Sequence, residues 1–578
     1  MAAEEVLCDA DKHQPIESLV YCGRSNVPSR RSILTRRLRN RAQRNVTSPA
    51  SGREDGFVMT RARNPGMPRS SLLNALLGIA AEIDRAHRAE RPPGSWPRIT
   101  RRAVLHGAAS IAGAALLPQL PALAAAEARV AVVGAGLAGL TAAHELSKAG
   151  LKSIVYEGNT RLGGRCYTIR SFPNEIAEHG GEFIDSTHDA IRGLAAALDL
   201  QLGDLLAAEP KNATSLYAFG NGYSFAQAQK DYAALYPLIQ EQAKRIGDFS
   251  YKQSNFFARA LDRITLAEWV ARYVPGGRAS KLGQLIENAI TEEYAADATT
   301  LSGLTPAPLF APNTRTGFNL YYPGSDQRYH VRNGNDQIPR LLGERLGDAV
   351  QTGTALLAVA HLPDGRIRLA LNRDSQMIEA TYDRVILALP FSILRQLDTT
   401  QAGFRPLKRR AIATLGMGAS TKFQLRFRER VWWAAGCSGE IRLRSDLFQT
   451  TWDVTRGQSG DSGILNFWSG GRQAERSGAL DPVDLARSCL AEAEKLLPGL
   501  TAAWTGEMTR DAWLGNPWSL GSYSYQPLGY ATALSGIEAE PEGNCFFAGE
   551  HTAAQSGYLN AAVETGQRAA KEVLASLK

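Results

Sequence analysis

The stretch ARVAVVGAGLAGLTAAHELSKAGLKSIVYEGN, residues 128–159, is the feature that most constrains the fold of this chain. An apolar, β-branched run is followed by Gly134, Gly136 and Gly139 and by a segment with apolar residues at helical spacing. A second apolar run ends at Glu157. Strand, glycine turn, helix, strand and acidic residue in this order predict a dinucleotide-binding βαβ unit of the Rossmann type.

Each part of this pattern has a physical reason. The first glycine makes the turn from strand to helix, the second lets a pyrophosphate approach the backbone, and the third lets helix and strand pack closely. The helix presents the positive end of its dipole to the phosphates, and Glu157 is placed to accept hydrogen bonds from ribose hydroxyls. NAD and FAD share this pattern, so the choice between them depends on the rest of the chain.

The positive net charge of the chain belongs to its first segment. Of the 578 residues, the first 102 contain 19 Lys and Arg against 10 Asp and Glu, whereas the remaining 476 contain 46 basic and 47 acidic residues. A basic surface on the body of the protein is therefore not expected, which argues against a nucleic-acid partner. Residues 1–98 are predicted to be a disordered basic leader because they lack a sustained apolar period.

Residues 99–126 have the pattern of a twin-arginine export signal. Arg101 and Arg102 are followed by a weakly apolar Ala/Gly-rich run and by an A-x-A pattern at Ala122–Ala124. Glycines and two prolines interrupt this run, so a stable membrane span is not expected. The pattern predicts a bacterial protein that the twin-arginine export machinery delivers to the periplasm or secretes.

Metal and disulfide chemistry find no support in the sequence. The six cysteines are scattered without a C-x-x-C pair, and the nine histidines form no obvious metal cluster. We therefore predict no metal site.

The sequence after the dinucleotide pattern resembles the flavin-containing amine oxidase family, which includes monoamine, polyamine and L-amino acid oxidases. The resemblance is carried by RLGGRCYT (161–168), AEHGGEFID (177–185), RYHVRNGNDQIPRLLGERLGDAVQTGTALLAVA (328–360), VILALPFSIL (385–394) and CFFAGEHTAAQSGYLNAAVETGQRAAKEVL (545–574). These motifs occur in family order over about 450 residues. The resemblance implies FAD rather than NAD. The cofactor-binding residues that it implies, together with those of the dinucleotide pattern, are Gly134, Gly136, Ala138, Gly139, Glu157, Gly158, Gly164, Arg165, Gly181, Glu182, Leu356, Gly549, Glu550, Tyr558 and Leu559.

Three catalytic residues follow from the same resemblance. Lys422 falls where the family places a lysine that holds a water against flavin N5, and Tyr523 and Tyr558 fall where monoamine oxidases place two facing aromatic rings. Ser522 replaces the cysteine that monoamine oxidases bond to the flavin, so FAD is predicted to bind noncovalently. Phe467 and Trp468 are predicted to line the substrate pocket.

The substrate is less well defined by the sequence. L-amino acid oxidases bind the substrate carboxylate with an arginine shortly after the Gly-Gly pair, whereas this chain has no arginine there before Arg192. That difference favours amines without a carboxylate, although Arg315, Arg328 or Arg442 could serve the same purpose.

The predicted activity is oxidation of a primary or secondary monoamine to an imine, with oxygen reduced to hydrogen peroxide. An L-amino acid oxidase or tryptophan 2-monooxygenase-like enzyme, a flavin dehydrogenase or isoprenoid desaturase, and a noncatalytic FAD-binding module remain as alternatives. The partners are a small-molecule amine and oxygen. The oligomeric state stays open, with a homodimer as one possibility.

The predicted fold class is α/β, with an FAD-binding domain interleaved with an α+β substrate domain. The motifs assign residues 129–200, 327–405 and 505–578 to the FAD-binding domain, and residues 201–326 and 406–504 to the substrate domain.

Overall fold

The computed structural model of the chain describes residues 128–218, 223, 225–310, 325–443 and 445–578. The predicted leader (1–98), the predicted signal segment (99–126) and Arg315 lie outside these ranges. The strands are β1 (Val130–Val133), β2 (Ser153–Tyr156), β3 (Thr168–Ile169), β4 (Ala177–Glu178), β5 (Leu202–Asp204), β6 (Thr214–Ala218), β7 (Tyr329–Val331), β8 (Val350–Gln351), β9 (Thr354–His361), β10 (Ile367–Arg373), β11 (Gln376–Tyr382), β12 (Arg384–Leu387), β13 (Gly416–Met417), β14 (Ser420–Phe427), β15 (Cys437–Leu443), β16 (Thr450–Asp453), β17 (Gly463–Gly470), β18 (Trp504–Ala512), β19 (Ser524–Tyr525) and β20 (Cys545–Phe547).

The α-helices of the described ranges lie between these strands, and five of them follow one another between β6 and β7. They are α1 (Leu137–Lys148), α2 (Asp189–Ala197), α3 (Phe225–Ile246), α4 (Phe256–Leu261), α5 (Leu266–Tyr273), α6 (Lys281–Tyr294), α7 (Pro306–Phe310), α8 (Gln337–Leu346), α9 (Phe391–Leu394), α10 (Pro406–Thr414), α11 (Val431–Ala434), α12 (Arg472–Ala479), α13 (Pro482–Ala493), α14 (Leu500–Ala503) and α15 (Leu559–Ser576). Among these, no helix has the length and hydropathy needed to cross a bilayer.

A five-stranded parallel sheet, in the order β20-β12-β1-β2-β8, forms the centre of the nucleotide-binding region. Apart from the edge strand β8, its strands are short, mainly apolar runs that are largely buried, as is typical of parallel sheets. Alternate residues of β1 enter two different cores. Val130 and Val132 pack with α1 and α15 on one face, while Ala131 and Val133 pack on the other face with the core beneath the β9–β11 sheet.

Helices α1 and α15 approach each other closely because a glycine lies at their contact. A Cβ added at Gly566 would lie 2.3 Å from the carbonyl oxygen of Ala138. The C-terminal helix therefore packs directly against the helix of the dinucleotide pattern.

A second, mainly antiparallel sheet has the order β18-β14-β17-β16-β15-β6. Helix α13 covers one of its faces through Leu485 and Leu490, which share a core with Phe423 and Leu425 of β14. Helices α3 to α7 form a separate helical core.

The two sheets confirm the predicted α/β fold class. The parallel sheet draws all of its strands from the segments 129–200, 327–405 and 505–578. Strand β18 differs from the predicted boundary at 505, because it pairs with β14 in the second sheet. Its sequence, WTGEMTRDA, carries no signal that separates the two sheets.

Candidate active site

A cavity of about 470 Å³ extends from the carboxyl ends of β1 and β2 to strands β14, β16 and β17 of the second sheet. Its lining combines residues from all of the motifs that the sequence singles out. Of the predicted site residues, the following line it: Gly134, Gly136, Ala138, Glu157, Gly158, Gly164, Arg165, Gly181, Glu182, Leu356, Lys422, Trp468, Tyr523, Gly549, Glu550, Tyr558 and Leu559.

The glycines of the first motif have distinct surroundings. Gly134 has φ +101°, a backbone conformation that favours glycine, and its N–H donates to the Tyr156 carbonyl at 2.7 Å. A Cβ added at Gly139 would lie 1.9 Å from the Gly134 carbonyl oxygen, whereas one added at Gly136 meets nothing within 4 Å. Gly139 is thus required for packing and lies outside the cavity lining, while Gly136 leaves open space where α1 begins.

Glu157 is held rigidly at the end of β2. Its Oε2 accepts the N–H of Ala135 at 2.7 Å, and its Oε1 accepts the N–H of Asn159 at 2.8 Å. Burial raises the pKa of this carboxyl above its usual value, although these two backbone donors oppose the rise. The carboxylate is fixed at the cavity wall beside Leu356, which is buried.

Arg165 joins the second glycine motif to two distant segments. Its Nη1 donates to the Ser522 carbonyl at 2.8 Å and to Glu550 Oε1 at 2.7 Å. Glu550 also accepts hydrogen bonds from the Ser524 hydroxyl at 2.8 Å and the Gly557 N–H at 2.7 Å. Burial alone would raise the pKa of Glu550, but Arg165 and these donors lower it to about 2. Glu550 is therefore ionised at neutral pH.

Lys422 lies on β14 with its ammonium group against the Gly-Gly segment. Nζ donates to the carbonyls of Glu178 (2.8 Å) and Gly180 (3.0 Å) and to Glu182 Oε2 (2.8 Å). The Trp452 Nε1–H donates to both oxygens of Glu182 at 3.0 Å. Lys422, Glu182 and Trp452 all line the cavity, so a buried ion pair borders it next to the backbone of Gly180 and Gly181.

Glu178 and His179, which precede the Gly-Gly pair, are buried beside this ion pair. Burial raises the pKa of Glu178 to about 8, although the Asn335 N–H and the Thr168 hydroxyl donate to it. Burial, with Lys422 nearby, lowers the pKa of His179 to about 3. His179 is therefore neutral at physiological pH.

Tyr523 and Tyr558 reach the cavity from two loops that precede β19 and α15. The Tyr523 hydroxyl donates to the carbonyl oxygen of Glu292 at 3.2 Å. The Tyr558 ring lies edge-on to His188, with centroids 5.0 Å apart and an interplanar angle of 69°. The structure thus brings both predicted aromatic residues to the cavity that Lys422 borders.

His188 is in turn fixed by Asp185. Its Nδ1 accepts the N–H of Asp185 at 3.0 Å, and its Nε2 lies 3.1 Å from Asp185 Oδ2. Asp185 Oδ1 also accepts the Ser325 hydroxyl at 2.8 Å and the Gln327 N–H at 2.7 Å. Burial raises the pKa of Asp185 to about 7 and lowers that of His188 to about 4.

One predicted pocket residue is corrected by the structure. Trp468 lines the cavity, but its neighbour Phe467 is 1% exposed and packs in the core between the second sheet and α13, with its ring edge-on to Phe448. Successive residues of a strand point to opposite faces of a sheet, so only one of the pair can reach the cavity.

The structure also shows the positions of three arginines that were candidates for binding a substrate carboxylate. Arg442 is buried and paired with Glu292 and Glu440, and Arg328 is paired with Asp204. Arg192 donates to the Ser186 carbonyl. None of these three lines the cavity.

Glu292, Asp185 and Trp452 are lining residues that the sequence did not identify as such. Asp185 and Glu182 lie in the motif AEHGGEFID, where two acids directly after a Gly-Gly pair were an available signal. Glu292 lies in α6 without any motif around it. In the described ranges, no group of three or more His, Cys, Asp and Glu residues could hold a metal ion, and the four cysteines are free.

The residues present fit FAD. The open space at Gly136 adjoins the N-terminus of α1, which suits a pyrophosphate. The fixed carboxylate of Glu157 suits a ribose, and the apolar side chain of Leu356 suits an adenine. A Cβ at Gly181 would lie 2.6 Å from the Leu559 side chain, so the Gly-Gly backbone and the start of α15 are held close together.

Comparisons with known proteins agree with this geometry. The family model described as "Flavin containing amine oxidoreductase" matches residues 137–574. The chain is 26% identical over 466 residues to the flavin-containing amine oxidase A of Sus scrofa, covering 78% of this chain and 85% of that protein. It is 25% identical over 461 residues to amine oxidase B of Rattus norvegicus, covering 77% and 86%.

Two solved structures share the fold. Cyclohexylamine oxidase from Brevibacterium oxydans IH-35A has a TM-score of 0.68 and 22% identity, covering 78% of this chain and 99% of that chain. Putrescine oxidase bound to putrescine has a TM-score of 0.66 and 22% identity, with the same coverage.

Proposed function

This chain belongs to the flavin-containing amine oxidoreductase family, and we propose that it oxidises a primary or secondary amine that has no carboxylate. The carbon next to the amine loses a hydride, which gives an imine that water hydrolyses to a carbonyl product. Oxygen is the proposed final acceptor and is reduced to hydrogen peroxide. The observation that carries the proposal is that Lys422, Tyr523 and Tyr558 line one cavity with the dinucleotide motif.

FAD, when bound, supplies the hydride acceptor. The backbone at Gly136 and the N-terminus of α1 would hold its pyrophosphate, and Glu157 would accept the ribose hydroxyls. Ser522 donates its hydroxyl to the Gly418 carbonyl at 2.8 Å and replaces the cysteine of monoamine oxidases, which supports noncovalent binding. The ion pair of Arg165 and Glu550 would position the backbone of Ser522 at the same wall.

Tyr523 and Tyr558 would orient the amine. Two aromatic faces bind a flat or slender group and leave the nitrogen lone pair uncommitted, which suits a neutral amine. The hydroxyl of Tyr523 is held by Glu292 and the ring of Tyr558 by His188, so both rings have fixed orientations before substrate arrives. Lys422 would place its positive charge beside the site where oxygen is reduced.

The charges of the cavity wall support a substrate without a carboxylate. Among the described residues, the Lys and Arg side chains that line the cavity are Arg161, Arg165 and Lys422. Arg161 donates to the Gly164 carbonyl, while Arg165 and Lys422 are paired with Glu550 and Glu182. A substrate carboxylate would have to compete with these partners, whereas an ammonium group would not.

The test is a measurement of peroxide and of anaerobic flavin bleaching with the purified holoenzyme. Aryl-amines, alkylamines, polyamines and L-amino acids form the panel. We expect amines to bleach the flavin and to produce peroxide, and L-amino acids to do neither. Bleaching by L-amino acids alone would overturn the proposed substrate class, and an absence of bleaching with the whole panel would overturn the oxidase.

Export is a separate proposal that rests on Arg101 and Arg102 and the sequence that follows them, outside the described residues. The twin-arginine machinery exports folded proteins, so this protein could bind its cofactor before export. Replacing both arginines by lysine should retain the protein in the cytoplasm, as measured by cell fractionation. Unchanged periplasmic or secreted protein would contradict this proposal.

A further inference from the structure

The ammonium group of Lys422 has as many acceptors within the protein as it has hydrogens to donate. A lysine ammonium donates three hydrogen bonds. Nζ of Lys422 lies 2.8 Å from the Glu178 carbonyl oxygen and 3.0 Å from the Gly180 carbonyl oxygen. Its third acceptor is Glu182 Oε2, at 2.8 Å. The family resemblance gives this lysine a water to hold, but a water could be bound here only if one of these three bonds were broken.

Glu182 is the acceptor that offsets the positive charge at this wall. The two carbonyl groups bind the ammonium but leave its net charge unchanged, whereas the carboxylate of Glu182 opposes it. The side chains of Lys422 and Glu182 are 9% and 6% exposed, so salt screens this pair much less than it screens a pair on the surface. Lys422 therefore presents less positive charge to the cavity than a lysine bonded to carbonyl groups alone.

Glu182 is held against Lys422 at both of its ends. Its backbone carbonyl accepts the Nδ2–H of Asn335 at 2.9 Å, and both of its carboxylate oxygens accept the Nε1–H of Trp452 at 3.0 Å. The Trp452 ring also faces the ammonium, with Nζ 5.5 Å from the ring centroid. The carboxylate therefore cannot turn away from Lys422 without losing its bonds to Trp452.

The charge of this pair bears on the oxygen step of the proposed function. Reducing oxygen to hydrogen peroxide takes two electrons and two protons. Both electrons and one proton come from the reduced cofactor, solvent supplies the other proton, and the first electron to reach oxygen turns it into an anion. A preorganised cation lowers the barrier to forming such an anion, and a carboxylate 2.8 Å from that cation opposes the effect.

We propose that Glu182 is a positioning residue that slows the reaction of the reduced enzyme with oxygen, because it binds the third donor of Lys422 and offsets its charge. The inference rests on the proposed function and concerns its second half, the reoxidation. Lys422 remains the group that favours the oxygen anion, and Glu182 sets how much of that charge acts in the cavity. The amine and the bond that is oxidised are unchanged.

The experiment measures reoxidation without using an amine. The holoenzymes of wild type and E182Q are reduced anaerobically by light, mixed with oxygen in a stopped-flow instrument and followed by flavin absorbance. E182Q keeps an acceptor for Lys422 but removes the charge, so its second-order rate constant should be about 10-fold higher, which corresponds to one charge-assisted interaction. Reduction by amine, measured separately, should change by a smaller factor.

Sulfite binding provides a measurement that involves no turnover. Sulfite is an anion that adds reversibly to oxidised flavin, so its dissociation constant reports the charge beside the flavin. This constant should fall about 10-fold in E182Q, for the same reason that reoxidation becomes faster. A role of Glu182 in stability alone would leave the sulfite constant unchanged.

E175Q is the matched control. Glu175 is 3% exposed and pairs with Arg426, which lies on β14 four residues after Lys422. Neither Glu175 nor Arg426 lines the cavity. E175Q thus removes a buried carboxylate from a cation on the same strand, and it should leave the reoxidation rate and the sulfite constant unchanged. An equal acceleration in E175Q would assign the effect to a loosened strand and overturn the inference.

A reoxidation rate in E182Q that is no higher than that of wild type, with an intact flavin spectrum, would also overturn the inference. E182D moves the carboxylate away from Nζ by one methylene and should give a smaller rise. If E182Q does not retain flavin, an E182D rate no higher than that of wild type decides against the inference. If the light-reduced enzymes behave as expected but no amine reduces the flavin, the proposed function fails while the role of Glu182 stands, so the two failures are distinguishable.

Discussion

Arg165 and Glu550, which are 385 residues apart in the chain, form a hydrogen-bonded ion pair of 2.7 Å at the cavity wall. The pair joins the second glycine motif to the closing motif, and Glu550 extends the connection to Ser524 and Gly557. Three segments that are far apart in the sequence are thereby joined in one arrangement. Glu550 is thus a structural junction in addition to its predicted contact with the cofactor.

E550Q should destabilise the protein and weaken its hold on FAD. The change leaves the partly buried Arg165 guanidinium without its counter-charge and removes a charge-assisted hydrogen bond, which typically costs about 1.5–3 kcal/mol. S524A removes a single neutral hydrogen bond to the same carboxylate and should cost about 1 kcal/mol. Urea unfolding and the flavin content of the purified proteins measure both effects. Equal stability of E550Q and S524A would contradict the assigned role of the charge.

The ion pair of Arg165 and Glu550 also predicts how the free energy of unfolding changes with pH. The pKa of folded Glu550 is about 2, below the usual 4.5, so its contribution to stability is complete above pH 4.5. That contribution is lost as the pH falls from 4.5 towards 2. The difference in unfolding free energy between wild type and E550Q should therefore be constant from pH 7 to 5 and shrink below pH 4.5.

Substitutions of two glycines should separate cofactor binding from folding. In G139A, the new Cβ would lie 1.9 Å from the Gly134 carbonyl oxygen, so the apoprotein itself should lose stability. In G136A, the Cβ enters open space at the cavity wall, so the apoprotein should keep its Tm. G136A should nevertheless bind FAD more weakly, because the methyl group occupies space at the N-terminus of α1. Thermal unfolding of the apoproteins and titration with FAD measure the two effects separately.

The roles of these glycines could be predicted from the sequence because they belong to a local sequence pattern. A strand, three glycines, a helix and an acid at fixed spacing define one supersecondary unit, and the structure places Gly136 and Glu157 on one cavity wall. The closing motif could likewise be assigned to the flavin side of the fold, because its small residues are required where α15 packs against α1 at Gly566.

Other features depend on tertiary contacts that no local pattern encodes. Glu292 lines the cavity where α6 packs against β17, a contact between segments that are far apart in the sequence. Phe467 and Trp468 were predicted together, but the pairing of β17 with β14 decides which of them faces the cavity. A shift of one residue would exchange their environments, and the run ILNFWSGG is apolar on both faces.

Acid precipitation should separate the flavin from the polypeptide. The sequence resemblance places Ser522 at the position of the cysteine that bonds to the flavin in monoamine oxidases, and the Ser522 hydroxyl donates to the Gly418 carbonyl. The yellow colour should pass into the supernatant, as measured by its absorbance spectrum and by the mass of the intact protein. A pellet that stays yellow would contradict noncovalent binding, and Cys166, which also lines the cavity, would be the first residue to examine.

K422M should slow reoxidation more than reduction. Lys422 Nζ donates to the Gly180 carbonyl at 3.0 Å, and losing a preorganised charge of this kind typically costs about 10²-fold in rate. Anaerobic reduction by amine, followed by mixing with oxygen in a stopped-flow instrument, separates the two steps. Equal slowing of both would indicate a role in binding the amine.

The stability of the same variant tests the ion pair. K422M leaves Glu182 with Trp452 as its remaining hydrogen-bond donor, so the buried carboxylate loses its counter-charge. The double variant E182Q/K422M removes both charges and should regain most of the lost stability without regaining the reoxidation rate. Recovery of both properties would show that Lys422 acts only by neutralising Glu182.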